Sequence, residues 1–212
     1  MKKFLYLIIF ALVAIMPASL TSCSESEDAD TEYSDWQSRN DTYFLNIYNK
    51  AKQAIASGDE TWRIERAYTK SDTATAITNF IVAKQLNDGK DYTKPLFTDS
   101  VKVHYRGYIM PSSSHNTVVE AYGSDMAVGY QFDSSWTGDY NLNTMKPSAG
   151  VVSGYITGFS TALQNMCTGE RWLVFIPYNL GYGATAKTGI PAYSTLIFDI
   201  TLTKSWKKRI EI

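Results

Sequence analysis

The sequence predicts an α+β domain in which a curved antiparallel β-sheet wraps around one short α-helix, with a helical extension on its N-terminal side. Two observations support this prediction. From Asn79 onward, short apolar stretches with the two-residue period of β-strands are separated by Gly, Asn and Asp. The aromatic content is 14%, with 15 Tyr and 5 Trp, which suits strands and binding surfaces better than a helical bundle.

The N-terminus resembles a bacterial lipoprotein signal peptide. Lys2 and Lys3 precede an apolar core at residues 4–15, which is too short to span a bilayer comfortably. The stretch ends in Leu20-Thr21-Ser22-Cys23, which is similar to a lipobox, and this resemblance implies lipidation of Cys23. We therefore expect a protein of the cell envelope, anchored by lipid to the outer membrane on its periplasmic face or at the cell surface. The alternative is an ordinary signal peptide with a chance cysteine.

A tether and then a helix follow the leader. Residues 23–33 are mostly acidic and polar without periodicity, which predicts a flexible acidic tether. Apolar residues then recur at helical spacing over 36–55, and Ser57-Gly58 ends the run. Ser34 and Gln37 predict a capping box at the start of this helix. The apolar stripe must be buried, either on the following domain, which is favoured, or on a second copy of the chain as a dimer.

The remaining helices and strands are predicted from the alternation of apolar and polar residues and from the glycines that bound them. Strands are predicted at 61–68, 80–83, 101–107, 171–176 and 195–203, and a short helix at 160–166. In the strand at 101–107, His104 falls on the face that carries Lys102 and Arg106, so we expect it on the polar side. The polar, Ser-rich segment 110–129 is predicted to be a long hairpin excursion whose purpose the sequence does not indicate.

Conventional catalytic and cofactor sites find no support in the sequence. A net charge of -1 gives no basic footprint, so nucleic acid is not an expected partner. His104 and His115 lack metal-ligand spacing with Cys or carboxylates, and no nucleophile elbow or phosphate-binding glycine loop occurs. We therefore expect neither a metal nor a cofactor. Apart from Cys23 the chain has only Cys167, which is expected to be a small packed hydrophobe.

Six short motifs occur in one order between Asn79 and Lys204. They are Val-His-Tyr-Arg-Gly at 103–107, Phe-Asp-Ser-Ser at 132–135, Ile-Thr-Gly-Phe at 156–159, Met166 with Gly169-Glu170, Ile-Pro and Tyr-Gly within 176–183, and Ile-Pro with Leu-Ile-Phe-Asp within 190–199. This succession resembles an FKBP-type peptidyl-prolyl cis-trans isomerase in a bacterial lipoprotein form. With it, four segments are predicted: a signal peptide (1–22), the tether (23–33), an N-terminal helix and extension (34–78), and an FKBP-like isomerase domain (79–212).

The resemblance implies an enzyme that isomerises proline-containing polypeptides, assists the folding of envelope or exported proteins, and needs no cofactor. One alternative is a non-catalytic FKBP-like module that binds such segments or acts as a chaperone. A weaker alternative is an adhesin or assembly subunit that dimerises through its N-terminal helix.

The resemblance also implies the site residues. Tyr182 would donate a hydrogen bond to a substrate carbonyl, and Asp133 would lie at the polar edge of the pocket. Phe159 would form the floor, where the family usually has Trp. The walls and rim would be formed by Tyr105, Phe132, Tyr155, Ile156, Ile190 and Phe198.

This set of residue types fits the chemistry. An X–Pro amide crosses a barrier of about 18–20 kcal/mol because twisting breaks its N–C=O resonance. No nucleophile or acid is required. A pocket that removes water from the carbonyl and holds the proline ring can favour the twisted amide over both planar forms. A phenol is a suitable fixed donor, because it stays neutral with an ordinary pKa of about 10.

Overall fold

The computed structural model describes residues 31–89 and 91–207. The predicted signal peptide, Cys23 and the predicted tether as far as residue 30 lie outside these residues. The last three residues of the predicted tether, Thr31–Tyr33, form a 3-10 helix instead of a flexible segment. Two α-helices are assigned within the described residues, α1 at Trp36–Ala56 and α2 at Thr157–Asn165. In this part of the chain, no helix is long and apolar enough to cross a membrane.

The strands of the described residues form one large sheet and one small hairpin. Seven strands make an antiparallel sheet in the order β1-β2-β8-β9-β3-β6, with β7 paired beside β6 along the same edge of β3. Strands β4 and β5 pair separately. Their bounds are β1 Trp62–Arg66, β2 Phe80–Asn87, β3 Ser100–Ile109, β4 Thr117–Val118, β5 Ala127–Val128, β6 Gln131–Ser134, β7 Ser148–Val151, β8 Arg171–Ile176 and β9 Leu196–Trp206.

The predicted α+β class, with an antiparallel sheet and an N-terminal helix, is confirmed. Each strand predicted at 61–68, 80–83, 101–107, 171–176 and 195–203 overlaps an observed strand. The short helix begins at Thr157, three residues before the predicted start, and β7 was not predicted. Because β1 pairs with β2, the N-terminal extension and the predicted isomerase domain share one sheet.

One face of the sheet packs on α2. Phe159 and Leu163 of this helix are buried in a core cluster with Val174 of β8 and Phe198 of β9. A Cβ atom at Gly158 would overlap Cγ2 of Ile176, so only glycine allows the first turn of α2 to lie this close to β8.

The opposite face of the sheet is covered by α1 and by the segment 110–129. Phe44, Ile47 and Ala51 of α1 are buried in a second core cluster with Phe175, and Tyr122 of the 110–129 segment joins the same cluster. The apolar stripe of α1 therefore packs on its own domain, as favoured from the sequence. The 110–129 segment contains the predicted hairpin, formed by β4 and β5, and it covers this second face.

Two local predictions are wrong. Asp35, not Ser34, occupies the N-cap of α1, in a left-handed conformation (φ 51°) and with no side-chain cap hydrogen bond. Gln37 is consequently one position too early for a capping box, and its side-chain amide donates to the Tyr178 hydroxyl at 3.4 Å. His104 is 2% exposed rather than on an open polar face, and the Trp136 ring lies edge-on to it with 6.5 Å between ring centroids.

Candidate functional site

Five of the predicted site residues form a contiguous cluster of aromatic rings. Phe198 is in edge-to-face contact with Phe132 at 5.5 Å and with Phe159 at 5.1 Å between ring centroids. Tyr105 lies edge-on to Phe159 at 6.0 Å and to Phe198 at 6.3 Å. Tyr155 stacks on Phe159 at 4.7 Å. Strands β3, β6 and β9 and the start of α2 thus bring these rings to one place.

Gly107 allows the rings of Phe132 and Phe198 to come into contact. It pairs with Asp133 on one neighbouring strand and with Phe198 on the other. A Cβ atom here would lie 2.6 Å from Cζ of Phe132 and 2.7 Å from Cε1 of Phe198. The absence of a side chain therefore lets the two rings meet over β3. Gly107 ends the Val-His-Tyr-Arg-Gly motif, but the sequence does not indicate that two aromatic rings meet over it.

Tyr105 is held through its backbone by a residue to which the sequence assigned no role. The backbone N–H of Tyr105 donates to Oγ of Ser135 at 2.9 Å. The backbone N–H of Ser135 donates in return to the carbonyl of Tyr105 at 2.8 Å. These two bonds fix the end of β6 against β3, and they place the Tyr105 phenol beside Asp133.

The predicted site residues differ in how far they are exposed to solvent: some are buried and others are partly exposed. Phe159 is 3% exposed, and Ile190 and Phe198 are each 5% exposed. The partly exposed members packed against this floor are Tyr105, Phe132, Tyr155, Ile156 and Tyr182. The part of the site that faces solvent is therefore largely aromatic, and it lies over a buried aromatic and aliphatic base.

The polar side of the site consists of one carboxylate and neighbouring phenols. The Tyr105 hydroxyl donates to Oδ2 of Asp133 at 2.8 Å, while Oδ1 accepts the backbone N–H of Ser134 at 2.8 Å. Burial, together with the hydrogen bond to Asp133, raises the pKa of Tyr105 above its usual range. Burial and the charge of Asp133 raise the pKa of Tyr182 in the same direction. Both phenols therefore remain neutral donors at physiological pH.

Tyr182 and Ile190 reach the site on the loop between β8 and β9. Tyr182 packs against the core cluster that contains the floor, and Nζ of Lys187 lies 5.8 Å from its ring centroid. Lys187 and Ile190 form an isolated bridge with two backbone hydrogen bonds of 2.9 Å, and this tight turn folds Ile190 back into the interior.

Direct contacts thus join six of the nine predicted residues, namely the five rings and Asp133. Eight belong to or pack on one cluster, and Asp133 joins them through Tyr105. The arrangement combines an aromatic surface with neutral hydrogen-bond donors, which suits desolvation of a bound group better than acid–base transfer. Their individual roles in catalysis remain predictions.

The chain is similar to proteins of known family. The family described as "FKBP-type peptidyl-prolyl cis-trans isomerase" matches residues 92–203, just over half of the chain. The macrophage infectivity potentiator of Trypanosoma cruzi is 32% identical over 130 residues, which cover 61% of this chain and 55% of that protein. The FKBP-type 22 kDa peptidyl-prolyl cis-trans isomerase of Escherichia coli is 33% identical over 109 residues, covering 51% of this chain and 42% of that one.

Among solved structures, FkpA from Escherichia coli aligns with a TM-score of 0.46 and 22% identity, covering 82% of this chain and 66% of that one. The matched parts of the two curated relatives amount to about half of their own length.

Proposed function

Because this chain belongs to the FKBP-type peptidyl-prolyl cis-trans isomerase family, we propose that it catalyses cis–trans isomerisation of X–Pro bonds in polypeptide substrates. The observation that supports the proposal is the cluster of aromatic rings formed by Tyr105, Phe132, Tyr155, Phe159 and Phe198, with Asp133 hydrogen bonded to Tyr105. The proline ring of the substrate enters between the partly exposed aromatic side chains, toward the buried ring of Phe159. Its burial removes water from the preceding carbonyl, which loses charge separation as the amide twists.

Hydrogen bonding completes the proposed mechanism. The phenol of Tyr182 donates to a substrate carbonyl, and its raised pKa keeps the proton on the donor. Asp133 accepts from Tyr105 and so holds that wall residue in place. Tyr155 and Ile156 contribute the rim at the start of α2, and Ile190 closes the side formed by the loop. Catalysis follows where these contacts are stronger with the twisted amide than with either planar form.

The setting of this activity is proposed from the N-terminal sequence. Lipidation of Cys23, directly after the lipobox-like Leu20-Thr21-Ser22, would hold the protein at the outer membrane by an acidic tether. Its substrates would then be envelope or exported proteins whose folding waits for slow proline isomerisation, which takes tens to hundreds of seconds without a catalyst. Labelling with a radioactive or clickable fatty acid tests the anchor: Cys23→Ala is expected to abolish the label and release the protein from membranes.

A proline-limited peptide isomerisation assay tests the activity. We expect Tyr182→Phe to lower kcat/KM about five- to tenfold, since one neutral hydrogen bond contributes about 1–1.5 kcal/mol. Tyr48→Phe is the matched control, because this phenol packs on the opposite face of the sheet. Absence of acceleration by the wild-type chain would refute the enzymatic proposal. Suppression of client aggregation without acceleration would establish the alternative, a binding module that does not catalyse.

A further inference from the structure

The N-terminal end of α1 is hydrogen bonded to the last residues of the loop that carries Tyr182 and Ile190. Nε1 of Trp36 donates to Oγ of Ser194 at 2.8 Å. Four residues along the same helix, Oδ1 of Asn40 accepts the backbone N–H of Thr195 at 2.6 Å. These bonds join positions more than 150 residues apart in sequence, and they connect a helix on one side of the loop to the beginning of β9.

The four side chains in this contact are shielded from water. Asn40 is 0% exposed, Thr195 1%, Ser194 3% and Trp36 5%. Nδ2 of Asn40 donates to the carbonyl of Trp36 at 2.7 Å, so both ends of the buried amide are used. Polar groups buried this completely are costly to leave unpaired, and the hydrogen bonds therefore specify one position of the loop end relative to α1.

Two short paths lead from this contact to the predicted site residues. Oγ of Ser194 donates to the carbonyl of Pro191 at 2.7 Å, and Pro191 directly follows Ile190. The backbone N–H of Tyr193 donates to the carbonyl of Gly183 at 2.8 Å, and Gly183 directly follows Tyr182. Ile190 is thus adjacent to Pro191, which is hydrogen bonded to Ser194, the residue that Trp36 of α1 contacts. Tyr182 is adjacent to Gly183, which is hydrogen bonded to Tyr193, the residue that precedes Ser194.

The backbone at Tyr193 adds to this dependence. Its φ of 61° lies in the left-handed region, which is unfavourable for a residue with a Cβ atom. Such a conformation persists only when the surrounding structure fixes it. The next two residues in the chain, Ser194 and Thr195, are the ones that α1 holds, and the ring of Tyr178 contacts the Tyr193 ring edge-on at 5.4 Å.

We propose that Trp36 and Asn40 are positioning residues for isomerisation, which hold Tyr182 and Ile190 in their working geometry through Ser194 and Thr195. This inference rests on the proposed isomerase function. It makes α1 part of the working unit, although the helix lies outside residues 92–203, where the family match falls. Trp36 also belongs to the core cluster that contains Ile190 and Phe198, whereas Asn40 is bonded to the backbone of Thr195. The part of their effect that depends on hydrogen bonds is transmitted by the loop backbone.

The expected consequence is a loss of turnover rather than of substrate binding. Small misplacements of groups that stabilise a transition state can lower rates by one to two orders of magnitude. We expect Trp36→Phe, Asn40→Ala and Ser194→Ala each to lower kcat about tenfold with KM changed less than twofold. The proline ring still enters the site formed by β3, β6, β9 and α2, whereas the donor on the loop is displaced.

The test uses the full chain, with kinetics and amide hydrogen exchange measured below the unfolding transition. Exchange in the peptide covering 181–193 is expected to speed up in all three variants, while the strands stay protected. Ile47→Val is the control, since this side chain of α1 packs on the other core cluster and should change neither the loop nor kcat. Ser194→Ala removes the acceptor for Trp36 and leaves both α1 side chains in place, so it serves if Asn40→Ala does not fold.

The outcomes separate the two proposals. An active wild-type chain whose variants keep wild-type kcat overturns the positioning role alone, whether or not loop exchange changes. A drop in kcat without faster exchange in 181–193 also overturns it, because the effect would not pass through the loop. A wild-type chain without isomerase activity overturns the proposed function and, with it, any positioning for that reaction.

Discussion

Tyr155 lies stacked on Phe159, with ring centroids 4.7 Å apart and ring planes 20° from parallel. The edges of Tyr105 and Phe198 meet the same ring at 6.0 and 5.1 Å. Aromatic neighbours therefore enclose Phe159, which is only 3% exposed. This packing gives a physical reason for Phe at a position where the family usually has Trp: the stacked phenol of Tyr155 occupies space that a larger floor ring would need.

A Trp introduced at position 159 should therefore destabilise the folded protein. We expect Phe159→Trp to lower the free energy of unfolding by about 1–3 kcal/mol, which is typical of overpacking a filled core. The variant should also fail to raise kcat/KM, because the Tyr155 ring must move from its stacked position. Urea unfolding and the peptide assay measure the two effects. Unchanged stability together with a higher kcat/KM would contradict this account of the floor.

Gly107 controls the approach of two wall rings, so a single methyl group here should damage the site. In Gly107→Ala, the new Cβ would lie 2.6 Å from Phe132 and 2.7 Å from Phe198, and rigid rings can relieve this only by moving. We expect kcat/KM to fall at least about tenfold, with a loss of about 1–3 kcal/mol in stability. Gly154→Ala is the control, because nothing lies within 4 Å of its added Cβ. Equal activity in the two variants would refute the prediction.

The buried pair of Arg171 and Asp199 should matter for stability and not for the site. Nε and Nη2 of Arg171 donate to the two carboxylate oxygens at 2.9 and 2.6 Å, and the Tyr122 hydroxyl donates to Oδ2 at 2.9 Å. Asp199→Asn leaves Arg171 buried without its counter-charge, and we expect a loss of about 3–5 kcal/mol. The matched control is Asp72→Asn in the exposed pair with Arg66, where no measurable loss is expected. Chemical denaturation of the two variants decides the comparison.

The raised pKa values of the phenols predict a flat pH profile. Burial, together with Asp133, moves the pKa of Tyr105 and Tyr182 upward from the ordinary value near 10, so the donor protons stay in place well into the alkaline range. We expect kcat/KM to be constant between about pH 6 and about pH 9. A decline with an apparent pKa below 9 that disappears in Tyr182→Phe would show that the phenol ionises earlier than its surroundings imply.

The sequence could predict features that depend on local patterns, and features that depend on the order of the six motifs. Alternation in Val101-Lys102-Val103 and the apolar run at 80–83 identified strands, because side-chain period follows from strand geometry. The order of the six motifs indicated nine candidate site residues, although no single motif was decisive. These features depend on neighbours in sequence, or on a pattern that extends over half of the chain.

What the sequence could not predict depends on contacts between distant segments. Nothing near Trp36 indicates that its indole N–H meets Ser194, because 158 positions separate them. The sequence of the 110–129 segment does not indicate that the Tyr122 hydroxyl donates to Asp199, which lies 77 positions away. His104 has the alternation of a solvent-facing residue, yet it is buried, and the ring of Trp136 lies edge-on to it. Tertiary burial overrode the local pattern in each case.

The burial of His104 leads to a further prediction, on the pH dependence of stability. Burial lowers the pKa of this side chain below its ordinary value of 6.5. Between the lowered pKa and 6.5, the unfolded chain therefore binds more protons than the folded one, and the free energy of unfolding falls as the pH falls through that window. We expect the urea midpoint to drop more between about pH 7.5 and about pH 5.5 in the wild type than in His104→Gln, which cannot take up this proton. Since all other titrating groups are common to both chains, the difference between their slopes isolates His104. Equal slopes would mean that the folded protein protonates His104 as readily as the unfolded chain does, and that the cover provided by Trp136 opens in solution.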